Sequence, residues 1–155
     1  RLIAAKPPSG PWDLKQARGG LVEIDFLLAF HALAAGSKLG TPPPGPAAII
    51  EFLNARQEIA DESAGTLLTA SELFESVMQI ARAATGGDFA PDGAGAAIAA
   101  RMAAACGETS IEAAQAGLIK LQRRVRTLYD ETVISTGDDA SDETGKAPSG
   151  PDEES

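Results

Sequence analysis

Cysteines, aromatic rings and long apolar runs are all scarce in this sequence. One cysteine, Cys106, stands in 155 residues, which excludes an internal disulfide framework and a cysteine-based zinc site and suits a reducing, cytoplasmic setting. Aromatics make up 5% of the chain, so the core must come from aliphatic side chains and alanine, a composition that favours packed helices. No apolar run approaches the roughly 18 residues of a membrane-spanning helix, and no signal peptide is recognisable. Positive charge is also in short supply. The formal charge is −9, which excludes a general electrostatic pull on nucleic acid. That charge is unevenly spread: residues 136–155 hold seven acids against Lys146 alone, so they carry −6 of it and leave the body nearly neutral.

What is present reads as helices. The length fits one domain. Residues 1–20 contain Pro7, Pro8, Gly10, Pro11, Gly19 and Gly20 and read as an extended lead-in, with Trp12 either anchoring it or standing exposed. A helical domain is expected over 21–135. Its first helix runs from Leu21 to about Ala35, with Gly36 as its stop. Thr41–Pro46 is a rigid connector, and a second helix follows from about Ala47 to Ala60, with Gly65 in the break beyond. A capping box, Thr69-Ala-Ser-Glu72, predicts the start of a third helix, whose stripe is Ala70, Leu73, Val77, Ile80 and Ala84. Gly86-Gly87 closes it. A short alanine-rich helix covers about Ala96–Ala105, and a second capping box, Thr109-Ser-Ile-Glu112, opens the last. That helix has the stripe Ile111, Ala114, Leu118, Leu121, Val125 and Leu128. Residues 136–155 are too polar to offset their ordering entropy and read as a disordered acidic tail, so Asp138, Asp139 and Asp142 are a solvated run. No strand pattern occurs. The expected fold is all-α, a bundle of about five helices.

The first helix is unusual. Leu21, Val22, Ile24, Phe26, Leu27, Leu28, Phe30 and Leu33 leave it no consistently polar face, and a helix that is apolar all round is usually buried. Glu23 and Asp25 nevertheless lie within it, pointing about 200° apart. Two readings stand. The acids complement the helix dipole, or at least one approaches the core and needs a cation or donors, with Lys15 and Arg18 nearest in sequence. Gly19-Gly20 precedes the helix, permits positive φ and close approach of a chain or ligand, and leaves free amides that suit a phosphate.

The run Asp13–Phe26, DLKQARGGLVEIDF, resembles the hallmark of bacterial glutamine synthetase adenylyltransferases: an acid, a lysine, a Gly-Gly pair, then an acid–Ile–acid–Phe helix start. Asp25 stands where glutamate is common. The later helices are similar in layout to the C-terminal half of that family. The resemblance implies that residues 1–20 close a nucleotidyltransferase domain lying upstream, and the start at Arg1 suggests a piece of a longer reading frame. It also implies a parent enzyme that uses ATP and magnesium to transfer AMP to a tyrosine of glutamine synthetase, with AMP removal as a linked activity and the PII signal protein as a further partner. The strand with paired Asp residues that such chemistry requires is not found in these 155 residues, so no residue here is expected to be catalytic, to hold metal or to bind a cofactor by itself. Lys15, Gly19, Gly20, Glu23 and Asp25 are expected to border the parent's active site. Lys15 either meets a phosphate or pairs with Glu23.

Elsewhere, Lys120, Arg123, Arg124 and Arg126 form a basic cluster on the last helix. It is either a solvated face supported by Asp130 and Glu131 or a docking surface for the acidic tail, a neighbouring domain or glutamine synthetase. His31 reads as a core or interface histidine and Cys106 as inert packing. The alternative to an enzyme piece is a stand-alone helical interaction module that docks through its last helix. No nucleic acid or membrane partner is expected.

Overall fold

Five α-helices carry the fold in the computed structural model, which describes residues 10–142, with side chains through 135 apart from 37 and 39. They are α1 (Leu21–Ala35), α2 (Pro46–Ala55), α3 (Asp61–Thr85), α4 (Ala96–Ala105) and α5 (Ile111–Asp142), with a 3-10 turn at Gly36–Leu39 after α1. Among the described residues there is no strand. The core is continuous and largely aliphatic, built around Ile24, Leu27, Leu53, Leu67, Phe74, Met102, Leu118 and Val125. The hub is α3, which packs against all four other helices; α5 lies against α1, α3 and α4.

The all-α architecture and the bounds of α1 and α4 agree with the periodicity, but α3 begins nine residues earlier than its capping box predicts. Thr69 and Glu72 lie inside a helix that opens at Asp61, so Gly65 sits in its second turn rather than in a break. The Asn54 amide explains the true start: it donates to the Ile59 carbonyl (3.2 Å) and to the Asp61 carboxylate (2.8 Å), holding the turn between α2 and α3. Because of that turn α2 ends at Ala55, not Ala60. Burial of Ala64, Leu67, Ala70 and Phe74 then outweighs the cost of one helical glycine, about 1 kcal/mol. The buried face also centres one residue from the expected stripe: Phe74 and Ala81 are buried, whereas Leu73 and Ile80 only flank the core. Gly65 has open space where a Cβ would stand. Gly65→Ala is therefore expected to stabilise the chain by about 0.5–1 kcal/mol, read as a rise in the urea midpoint at unchanged m-value.

The start of α5 is capped by Ser110, one residue from the expected Thr109. The Ser110 hydroxyl accepts from the Ala113 amide at 3.1 Å. Ser110→Ala is expected to cost about 1 kcal/mol and Thr109→Ala close to nothing; equal urea midpoints for the two would refute this cap. At the other end α5 continues to Asp142, so residues 136–142 are helical. A helix already seven turns long adds residues without a new nucleation step, which lets it pass Gly137. The remainder of the acidic tail, 143–155, lies outside the described residues.

Of the lead-in, residues 1–9 lie outside the described residues, and the described part is turned rather than extended. Residues 10–20 form consecutive tight turns, closed by Asp13 N–H to Gly10 O (3.1 Å), Ala17 N–H to Asp13 O (2.8 Å) and Gly20 N–H to Ala17 O (2.8 Å). Leu14 is buried, and so is Trp12, whose indole N–H donates to Gln115 on α5 (2.9 Å) and whose ring meets Phe89 edge-on at 4.8 Å. Trp12 thus anchors the segment onto α5 and the α3–α4 loop.

Candidate functional site

The turns of the lead-in deliver Gly19 and Gly20 to the start of α1. Leu21 and Val22 donate their amides back to the Leu14 and Lys15 carbonyls (2.8 and 3.1 Å), so residues 14–22 form a closed knot. Gly19 has φ +77°. A Cβ there would overlap the backbone carbonyl of Gln122, and one at Gly20 would lie 2.5 Å from the Leu14 carbonyl oxygen. Both glycines are therefore fixed by close backbone approach, and Gly19 by its φ as well.

Glu23 is the acid that turns inward. Its side chain is 13% exposed, and the Gly19 amide donates to both carboxylate oxygens at 3.1 and 3.2 Å. Its cation is neither Lys15 nor Arg18. Arg126 of α5 reaches across with one terminal guanidinium nitrogen, 2.7 Å from Oε1 and 3.0 Å from Oε2. The same guanidinium forms an ion pair through Nε with Asp130 at 3.0 Å and lies 4.9 Å from the centroid of the Tyr129 ring. The hydrogen bond to Glu23 raises the Arg126 pKa further above its ordinary value, so the arginine stays charged. The result is a clamp in which one glycine amide and one arginine hold the same carboxylate.

Asp25 points away, exposed at the rim of a hollow of about 320 Å³ between α1 and α2 that is lined by Leu28, Ala32, Pro46 and Ile49. Partial desolvation pushes its carboxyl above the usual range, and the Lys15 charge opposes that. The Lys15 charge thus lies within electrostatic reach of Asp25, whereas the ion-pair partner of Glu23 is Arg126. Lys15 and Asp25 are both exposed at the mouth of the knot, while Gly19, Gly20 and Glu23 lock it from within.

The basic cluster divides. Arg124 donates to the buried Thr66 hydroxyl of α3 at 3.0 Å and Arg126 belongs to the clamp, whereas Lys120 and Arg123 are exposed. Beside the clamp, Arg18, Arg123 and Arg126 flank an open hollow of about 360 Å³ walled by Pro11, Ala17, Ile119 and Gln122. His31 is half-buried near Glu58, Ile59 and Leu128; desolvation pushes its pKa down and Glu58 pulls it back. Burial pushes the Cys106 thiol up, and Glu108 adds to that. Among the described residues no group of three or more His, Cys, Asp or Glu side chains is placed to hold a metal ion, and no helix is long and apolar enough to cross a membrane.

The bifunctional glutamine synthetase adenylyltransferase/adenylyl-removing enzyme of Rhizobium meliloti (strain 1021) is 32% identical over 133 residues, 84% of this chain and 13% of that protein. Over that span the chain belongs to the bifunctional glutamine synthetase adenylyltransferase family. The enzymes of the same name from Bradyrhizobium sp. (strain BTAi1) and Xanthobacter autotrophicus are 30% and 29% identical, over 83% and 87% of the chain. The chain spans about one-eighth of the length of these adenylyltransferases. No family model matches it, and no solved structure does. For an adenylyltransferase relative, the residue that sequence reasoning missed is Arg126 in its role as the counter-ion of Glu23. A buried acid demands a cation, but nothing local singles out one arginine 103 positions away among four clustered basic residues.

Proposed function

We propose that this chain is the C-terminal helical portion of an enzyme that adenylylates glutamine synthetase, supporting a nucleotidyltransferase domain rather than catalysing alone. The parent transfers AMP from ATP to a glutamine synthetase tyrosine in the cytoplasm, with removal of AMP as a second activity and the PII signal protein as a regulator. ATP and magnesium belong to the parent's catalytic domain. The observation that carries this reading is the knot at residues 14–23. Buried glycines and a doubly held carboxylate fix its inner side, while Lys15 and Asp25 stand exposed at its mouth, as befits a rigid border to a site supplied by another domain. In this arrangement Lys15 meets a phosphate of ATP, and Gly19, Gly20 and Glu23 are positioning residues.

Transfer of label from α-labelled ATP to glutamine synthetase tests the proposal. The full-length polypeptide is expected to transfer AMP and the 155-residue chain alone to transfer none; transfer by the chain alone would overturn the supporting role. In the full-length protein, Lys15→Ala is expected to slow transfer about tenfold or more with an unchanged melting temperature. Unaltered activity and ATP affinity would remove Lys15 from the phosphate.

A further inference from the structure

The face of α1 turned away from the core carries no polar side chain. The helix buries Ile24, Leu27 and Leu28. Glu23 and Asp25, about 200° apart along one side and about 160° along the other, bound an outer arc occupied by Val22, Phe26, Ala29, Phe30 and Leu33. Leu33 is 81% exposed, Phe26 46% and Val22 44%. A surface helix ordinarily turns charged or polar residues outward; this one has its acids only at the two edges of the apolar arc.

The strip extends onto α5. Trp12 meets Gln115, Glu23 meets Arg126 and Phe26 meets Tyr129 at 5.3 Å, each pair 103 positions apart. α1 and α5 therefore run in the same direction in register. That register sets Val133, 42% exposed and one turn beyond Tyr129, level with Phe30. Phe26 also stacks on Phe30 at 6.5 Å. The aromatic and aliphatic surface is continuous, and an exposed patch of this kind marks an interaction site.

We infer that the strip Val22–Phe26–Phe30–Leu33, with Tyr129 and Val133, is the seat of the nucleotidyltransferase domain of the same polypeptide. The inference rests on the function proposed above. Two observations choose this occupant. The relatives' polypeptides are about eight times longer than the matched span, so most of the protein lies outside these residues. The strip also starts one turn after the Gly19-Gly20 knot, on the helix whose first turns carry the bordering acids, so a domain contacting Lys15 and Asp25 overlies it. The occupant presents an apolar surface, and Arg126, the cationic group beside the strip, already pairs with Glu23 and Asp130 of this chain.

Thiol labelling decides the matter. In a Cys106→Ala background of the full-length polypeptide, Leu33→Cys and Val22→Cys are expected to react with a maleimide at least tenfold more slowly than Ala100→Cys, an exposed position on α4. Rates equal to that of Ala100→Cys at both positions would overturn the inference. So would protection in the 155-residue chain alone that grows with protein concentration, which would assign the strip to a second copy. Because labelling does not depend on AMP transfer, a failed docking surface and a failed functional reading are distinguishable: protection without transfer refutes only the latter.

Discussion

Replacing Gly19 by alanine is expected to destabilise the fold by about 3 kcal/mol. Two costs combine. An alanine at φ +77° sits in the left-handed region, at roughly 1–2 kcal/mol. Its Cβ also overlaps the Gln122 carbonyl, which is backbone and cannot rotate aside, so the lead-in and α5 must separate at a further cost of about 1–3 kcal/mol. Separation loosens the Gly19 amide from Glu23 and strains the bond from the Gln122 amide to the Pro11 carbonyl, 2.8 Å long. For a domain of this size the loss corresponds to a fall in melting temperature of about 10 °C, measured by circular dichroism at 222 nm. Gly65→Ala is the internal control, the same substitution in open space, with the opposite sign. A Gly19→Ala melt within 2 °C of the parent would mean that the knot and α5 are not in contact.

The second large effect is at Arg126. Arg126→Met removes the cation while keeping most of the apolar stem. Glu23 then retains only the Gly19 amide, and a mostly buried carboxylate left short of donors costs about 2 kcal/mol. The Asp130 side contributes little, because that carboxylate is half exposed. Double substitution with Glu23→Gln is expected to recover about half of the loss, since a neutral amide needs no counter-ion, so the two changes are non-additive. Urea midpoints of the four proteins supply the cycle. Additive losses would show that the 2.7 Å contact carries no stability. The coupling should also persist at 1 M salt, where exposed pairs are screened.

Local periodicity made much of this fold legible. The bounds of α1 follow from glycine on either side of an apolar run, and the buried stripe of α5 follows from spacing alone. The reading failed where longer-range packing outweighed a local signal. Thr69-Ala-Ser-Glu72 has the right chemistry for a helix start, but Ala64 and Leu67 had core to bury, so the helix was already under way. The apolar character of α1 points to burial on every side, because hydrophobicity all round does not say which side lacks a neighbour; the structure leaves Val22, Phe26 and Leu33 outside. At the site, the glycines and acids of DLKQARGGLVEIDF were visible as a pattern. Their inner and outer roles were not, because the choice between Glu23 and Asp25 is made by a side chain on α5.

The constant spacing of 103 positions between the knot and α5 has a consequence for how the protein is made. At about 5–20 residues per second, Gly19 and Glu23 leave the ribosome roughly 5–20 s before Arg126 and Gln122 do. Throughout that interval the knot has neither its counter-ion nor its backing wall. Contacts of such high sequence separation form late because loop closure must come first. The Gly19-Gly20 knot is therefore among the last parts of this domain to set.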